Sequence, residues 1–220
     1  MINKFSEIEE LFKEIDKFVD MNLSIYIIGG AALLKRGLKI ATKDIDIIVA
    51  TKQEFLKLQL ILKLTGFIDK LPGKEYSNMN LSQIFQRGDF RIDLFEREVC
   101  GKFALTDEMK KRSEKVLELS NINLYLCSNE DIFLFKTMTE RDGDIEDCIA
   151  IASTQNPNWE IILLELKNQI NQSKQDVWIT WVGERFDILS DKKVDIPIMN
   201  ELNILRDKFF DNLDKKHSRT

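Results

Sequence analysis

The chain has a single histidine, His217, in the charged run Asp214-Lys215-Lys216-His217-Ser218-Arg219-Thr220. One imidazole in such a tail excludes a Ser-His-Asp triad, a Cys-His pair and any two-histidine metal site. A metal used by this chain must be held by oxygen ligands, which points to Mg²⁺ or Mn²⁺. Cysteine is scarce as well: Cys100, Cys127 and Cys148 are odd in number and widely spaced. They suit reduced core cysteines of a cytosolic protein better than a disulfide framework or a zinc site. No apolar run reaches the length of a membrane span, and the N-terminus MINKFSEIEELFKEID is acidic and amphipathic, unlike a signal peptide. A cytoplasmic location with no membrane partner is the expectation. Basic residues are outnumbered, 32 to 37, for a net charge of −5. The protein is therefore no generic polyanion binder, although a local basic groove for RNA or DNA stays compatible with that balance. With 44% hydrophobic and 31% charged residues over 220 positions, the chain is globular and long enough for one larger or two small domains.

What is present centres on Ile25 to Ala50, IYIIGGAALLKRGLKIATKDIDIIVA. Ile25 to Ile28 is a β-branched and aromatic run cut off by Gly29-Gly30. Ala31 to Arg36 is good helix-forming sequence, and Gly37 suits its stop. From Asp44 to Val49 the pattern alternates, so Asp44 and Asp46 leave one face of a strand. Two acids so placed on a buried-looking strand destabilise it unless a positive charge lies between them, and a divalent cation is the simplest candidate.

On either side the periodicity predicts an amphipathic helix over Phe5–Val19 and another over Thr51–Thr65, the latter with Thr51 as N-cap, Glu54 three residues on and Gly66 as stop. Leu71-Pro72-Gly73-Lys74 marks a turn. Two strands, Asn80–Phe85 and Phe90–Phe95, join around Arg87-Gly88-Asp89. A polar connection over Thr106–Lys115 precedes strands at 116–119 and 122–126, and Ser128 to Asp131 reads as a helix start. Helices are expected at about 129–140, 144–154, 158–172, 176–190 and 198–214. The composition shift near Cys127 divides the chain into 1–127 and 128–220.

The Gly-Gly turn followed, after about a dozen residues, by an Asp-x-Asp strand resembles the nucleotidyltransferase (polymerase-beta-like) superfamily. Gly29, Gly30, Asp44 and Asp46 match its motif position by position. With AALL after the glycines, the stretch looks closest to a small prokaryotic branch of uncharacterised and toxin–antitoxin-linked nucleotidyltransferases. The resemblance implies an α/β fold, a small mixed β-sheet flanked by helices and followed by a C-terminal helical region. It also implies a third carboxylate on a later strand; Asp93 is the natural candidate, with Asp89 and Glu96 as competitors. Asp44, Asp46 and Asp93 would then be catalytic and hold Mg²⁺ (or Mn²⁺), with Gly29 and Gly30 bringing backbone to the triphosphate. The bland reading is that Asp44 caps a strand, Asp46 pairs with Lys43 or Arg36, and the glycines merely make a tight turn. Lys43, next to the acids, is a candidate phosphate contact.

A second resemblance lies in EDIFLFKTMTERDGDIEDCIAI, residues 130–151. Lys136, Arg141, Asp144 and Asp147 match a motif common in that branch, in which Lys136 and Arg141 would bind nucleotide. The structural alternative is an interhelical salt-bridge network. Trp178, Trp181 and Val182 sit at helical spacing and are expected in the core.

The expectation is a Mg²⁺-dependent nucleotidyltransferase that moves a nucleoside monophosphate from a nucleoside triphosphate to a hydroxyl on an RNA 3′ end, a protein or a small molecule, releasing pyrophosphate. Its alternatives are a catalytically silent partner-binding module such as an antitoxin, and a nucleotide sensor.

Overall fold

Residues 1–128 alternate short strands and helices: α1 (Phe5–Asp16), β1 (Leu23–Ile28), α2 (Gly29–Lys35), β2 (Ile45–Val49), α3 (Lys52–Leu64), β3 (Ile68–Lys70), β4 (Gln83–Arg87), β5 (Phe90–Glu96), α4 (Asp107–Arg112), β6 (Glu114–Glu118) and β7 (Ile122–Leu126). The computed structural model describes residues 1–70 and 83–217, and the turn expected at 71–74, like the first residues of the strand expected at 80–85, lies outside them. The chain divides into two units, Met1–Ser128 and Asn129–Thr220.

One seven-stranded mixed sheet, in the order β3-β4-β5-β2-β1-β7-β6, carries the first unit. β1 pairs antiparallel with β2 and parallel with β7, and β2 pairs parallel with β5. The central strands share one apolar face: Ile25, Ile27, Ile45, Ile47 and Val49 are fully buried on it, as are Ile92 and Leu94. α1 buries Phe5, Ile8, Leu11, Phe12 and Ile15. It ends at Asp16, earlier than the periodicity suggests, and Phe18 beyond it is exposed. Asp16 Oδ1 accepts from the Asn121 and Ile122 amides at 2.9 and 2.8 Å, so the helix end secures the start of β7.

α3 has the expected N-terminus. Thr51 Oγ1 accepts from the Glu54 amide, and the Glu54 carboxylate accepts from the Thr51 amide, a reciprocal cap that stabilises the helix by about 1 kcal/mol. Arg87, at the end of β4, stands over the Phe67 ring and donates to the Thr65 carbonyl and to Glu14. Two elements were not expected. The polar connection 106–115 contains α4, capped by Thr106 and burying only Met109, and the edge strand β3 is exposed throughout.

The second unit is helical: α5 (Asn129–Thr137), α6 (Asp142–Gln155), α7 (Trp159–Ser173), α8 (Trp178–Asp191) and α9 (Met199–His217). Phe133, Trp159 and Phe186 meet edge-on, with ring centroids 5.3 to 6.3 Å apart. α8 buries Trp178, Ile179, Val182, Phe186 and Leu189. Trp181 falls outside that arc and is 43% exposed, which corrects its expected place in the core. No helix among the described residues is long and apolar enough to cross a membrane.

Candidate active site

β1 ends at Ile28, directly opposite Asp46 on β2. The next residue, Gly29, has φ +63°, in the region that costs an L-residue about 1–2 kcal/mol. A Cβ there would also overlap the Asp46 carboxylate, 3.0 Å from its Cγ. Gly29 is thus required by conformation and by contact, because the turn lies against the acid. At Gly30 an added Cβ would sit 2.5 Å from Thr42 Oγ1. Thr42 in turn donates to the Asp44 carbonyl at 3.0 Å and exchanges backbone hydrogen bonds with Ile2. This residue fixes the approach to β2, and sequence reasoning overlooked it because a lone threonine carries no pattern.

The contact makes a testable difference. Gly29→Ala is expected to destabilise the protein by about 2–3 kcal/mol, from left-handed strain plus the clash. Gly37→Ala is the comparison, with φ +71° and open space where the methyl would go; it is expected to cost about 1 kcal/mol. Urea unfolding of the two variants measures the gap, and equal losses would mean that the turn does not press on Asp46.

The carboxylates come together through strand register. Asp46 on β2 and Asp93 on β5 are directly paired in the parallel ladder, so both side chains leave the same face. Asp44, immediately before β2, shares their parity. Continuing the register by one residue from Ile45 and Ile92 sets Asp44 level with Arg91. Three acids and one arginine therefore form a two-by-two array. Asp44 and Asp46 are half-buried, while Asp93 is only 5% exposed, with Ile84 of β4 on its other side. Of the competing acids, Asp89 lies in the exposed β4–β5 turn and Glu96 leaves β5 by the opposite face.

Arg91 grips Asp93 with both ends of its fork: Nε to Oδ1 and Nη2 to Oδ2, each at 2.7 Å. Arg91 falls within the strand expected at Phe90–Phe95, and its pairing with Asp93 is a product of shared parity two residues apart. Lys43 is exposed beside Asp44. Among the described residues, no three or more His, Cys, Asp or Glu side chains are gathered into a preformed metal cage. An open, all-oxygen donor set of this kind fits Mg²⁺, which is ordinarily held by one or two carboxylates together with water and substrate phosphates.

Lys136 and Arg141 belong to a cluster within the C-terminal unit. Lys136, at the end of α5, is 7% exposed, and its Nζ lies 2.7 Å from Asp144 Oδ1 and 2.5 Å from Asp147 Oδ2 on α6. Arg141 Nε reaches Asp144 Oδ2 at 2.7 Å, and Thr139 Oγ1 donates to the same oxygen. Burial works against the Lys136 ammonium, but the two aspartates outweigh it and hold its pKa above the ordinary lysine value. Burial likewise raises Asp144, and the Lys136 and Arg141 charges more than offset it, leaving the carboxyl below its usual range.

Comparison with known proteins bears on this arrangement. A family model described as "Nucleotidyltransferase of unknown function (DUF6036)" matches residues 3–181. No curated protein matches the chain. Among solved structures, the solution structure of the antibiotic-resistance factor ANT(2'')-Ia is similar with a TM-score of 0.50 at 14% identity, covering 77% of this chain and 92% of that one. The crystal structure of ANT(2'')-Ia in complex with adenylyl-2''-tobramycin gives 0.49 at 13% identity, covering 77% and 98%. At such identity the first likeness speaks to fold alone, and it agrees with the mixed sheet described above. With the family model spanning most of its length, including the turn, the acid strands and α5–α6, the chain belongs to the family of nucleotidyltransferases of unknown function, DUF6036.

Proposed function

We propose that the protein is a Mg²⁺-dependent transferase that moves a nucleoside monophosphate from a nucleoside triphosphate to a hydroxyl and releases pyrophosphate. The observation that carries this reading is the in-register pairing of Asp46 with Asp93, with Asp44 on the same face and Gly29 against the Asp46 carboxylate. Asp44 and Asp46, with Asp93 beside them, would hold the cation together with phosphate oxygens; bound there, it neutralises charge on the reacting phosphate and activates the acceptor hydroxyl. Asp93 accepts the acceptor's proton as its oxygen attacks the α-phosphorus in line and the bond to pyrophosphate breaks. The Gly29-Gly30 backbone, free of side chains, lets the triphosphate lie close to the acids. Lys43 offsets phosphate charge from the exposed side. For Lys136, the enclosed pairing with Asp144 and Asp147 supports a role in holding α5 to α6 rather than in phosphate contact, whereas Arg141, 51% exposed at the start of α6, stays open to phosphate while it pairs with Asp144.

Label transfer tests the proposal. Purified protein is incubated with Mg²⁺, each α-labelled nucleoside triphosphate in turn and total cell extract, with Asp46→Asn as control. The expected result is label in a macromolecule or small molecule with the wild-type protein only, and its sensitivity to RNase or protease names the acceptor class. Triphosphate binding by calorimetry without any transfer would convert the reading to a nucleotide sensor. Neither binding nor transfer would leave a partner-binding module in its place.

A further inference from the structure

The fork between Arg91 and Asp93 has no evident place in a site built to hold a cation. Both oxygens of Asp93, the most buried acid of the array, are occupied by a guanidinium, in the geometry that makes arginine–carboxylate pairs strong. The two partners differ in their surroundings: the Asp93 side chain is 6% exposed and that of Arg91 28%. The acid is fixed within the sheet between Asp46 and Ile84, whereas the arginine stands one step along β5, level with Asp44 at the open end of the array. Asp93 leaving Arg91 unaided would abandon a buried pair, which is costly unless each partner is matched again. A divalent cation rematches Asp93, and an anion arriving at the open end rematches Arg91. The triphosphate carries such anions.

We propose that Arg91 is an internal counter-cation that holds Asp93 until a nucleoside triphosphate takes over its guanidinium, so that divalent cation and nucleotide bind cooperatively. This rests on the reading of Asp93 as part of the metal site. Arg91 is a positioning residue: it keeps Asp93 ordered and its charge balanced while no nucleotide is bound, and it weakens the affinity of the bare site for metal. Because coupling between two ligands is reciprocal, metal strengthens nucleotide binding by the same factor.

Mn²⁺ binding, followed by the loss of its free-ion electron paramagnetic resonance signal, reads the effect without any turnover. It is measured with and without the non-transferable α,β-methylene analogues of the four nucleoside triphosphates. In the wild-type protein the analogue that binds is expected to tighten Mn²⁺ by about tenfold or more. Arg91→Met is expected to bind Mn²⁺ about tenfold more tightly than wild type without nucleotide, and to gain little when the analogue is added. Arg91→Lys keeps the charge but loses the fork, and should fall between the two; it also serves if Arg91→Met proves too unstable to purify. Wild-type coupling in a folded Arg91→Met or Arg91→Lys protein would overturn the clamp while leaving the metal site standing. Failure of wild type and every variant to bind Mn²⁺, or binding indifferent to Asp46→Asn, would overturn the metal reading itself and the clamp with it.

Discussion

Asp46→Asn is expected to lower the rate of nucleotide transfer by about 10³-fold or more while leaving the protein folded. The asparagine keeps the volume and one oxygen of the aspartate but removes the negative charge. Asp46 is the member of the array that joins β1 to β5, paired with Ile28 on one strand and Asp93 on the other, with Gly29 against its carboxylate. Loss of its charge removes a cation ligand that Asp93, already a member of the same set, cannot replace. Stability should move the opposite way. Two carboxylates directly opposed on neighbouring strands repel, so neutralising one is expected to leave the melting temperature unchanged or raise it. Single-turnover transfer beside thermal melting separates the two effects. A variant within tenfold of wild-type rate would remove Asp46 from the chemistry, whatever its melting point.

The largest effect on stability is expected from Lys136→Met. The ammonium is enclosed by Asp144 and Asp147, which are 4% and 6% exposed, and its removal takes away the buried cation that both carboxylates share. Breaking a buried pair from one side typically costs about 3–5 kcal/mol. All three tryptophans lie in the C-terminal unit, so their fluorescence in a urea titration reports on that unit. Adding Asp144→Asn and Asp147→Asn to Lys136→Met should restore much of the loss, since buried neutral groups are then left in place of buried charges.

The pH dependence carries a sign. In the wild type the Asp144 pKa is depressed, so its contribution is complete above the ordinary carboxylate range and is lost as pH falls through the lowered value. The Lys136 pKa is raised, so its contribution is complete below the ordinary lysine range and is lost as pH rises through the raised value. Between those limits this network contributes a constant amount. Without Lys136, burial dominates and the folded state takes up protons that the unfolded chain does not hold. The variant should therefore gain stability between pH 7 and pH 5, where the wild type stays flat in this respect. Parallel losses in both proteins would show that the network is not the source.

Much of this architecture was legible because it is local. The cap at Thr51 and Glu54, the glycine stops at Gly37 and Gly66 and the alternation through Asp44 and Asp46 each depend on residues within a few positions of one another. The β4–β5 and β6–β7 hairpins were legible for the same reason. β3 is three exposed residues with no alternation to read, and only pairing with β4 makes it a strand. α4 is short and polar, and nothing apolar but Met109 betrays it. At the site, parity could predict that Asp44 and Asp46 share a face, but the alignment of Asp46 with Asp93 depends on strand register across a crossover. The fork on Asp93 was hidden for a further reason: an arginine two positions away on a strand is equally free to point into solvent until the neighbouring strands are in place. Trp181 shows the converse, since helical spacing places it near the buried arc of α8 but not within it.

The interior position of β1 in the sheet also has a meaning for how the protein is made. β1 is flanked by β2 on one side and, in parallel, by β7 on the other, a partner from the far end of the same unit. On the ribosome β1 emerges long before β7, and through that interval one side of Leu23–Ile28 offers unpaired amides and carbonyls along an apolar strand. Nascent chains that stop short of Ile122 are thus the form of this protein most prone to aggregate. Slower translation up to that point would prolong the exposure, and a chaperone that shields β1 on the growing chain would raise the yield of folded protein.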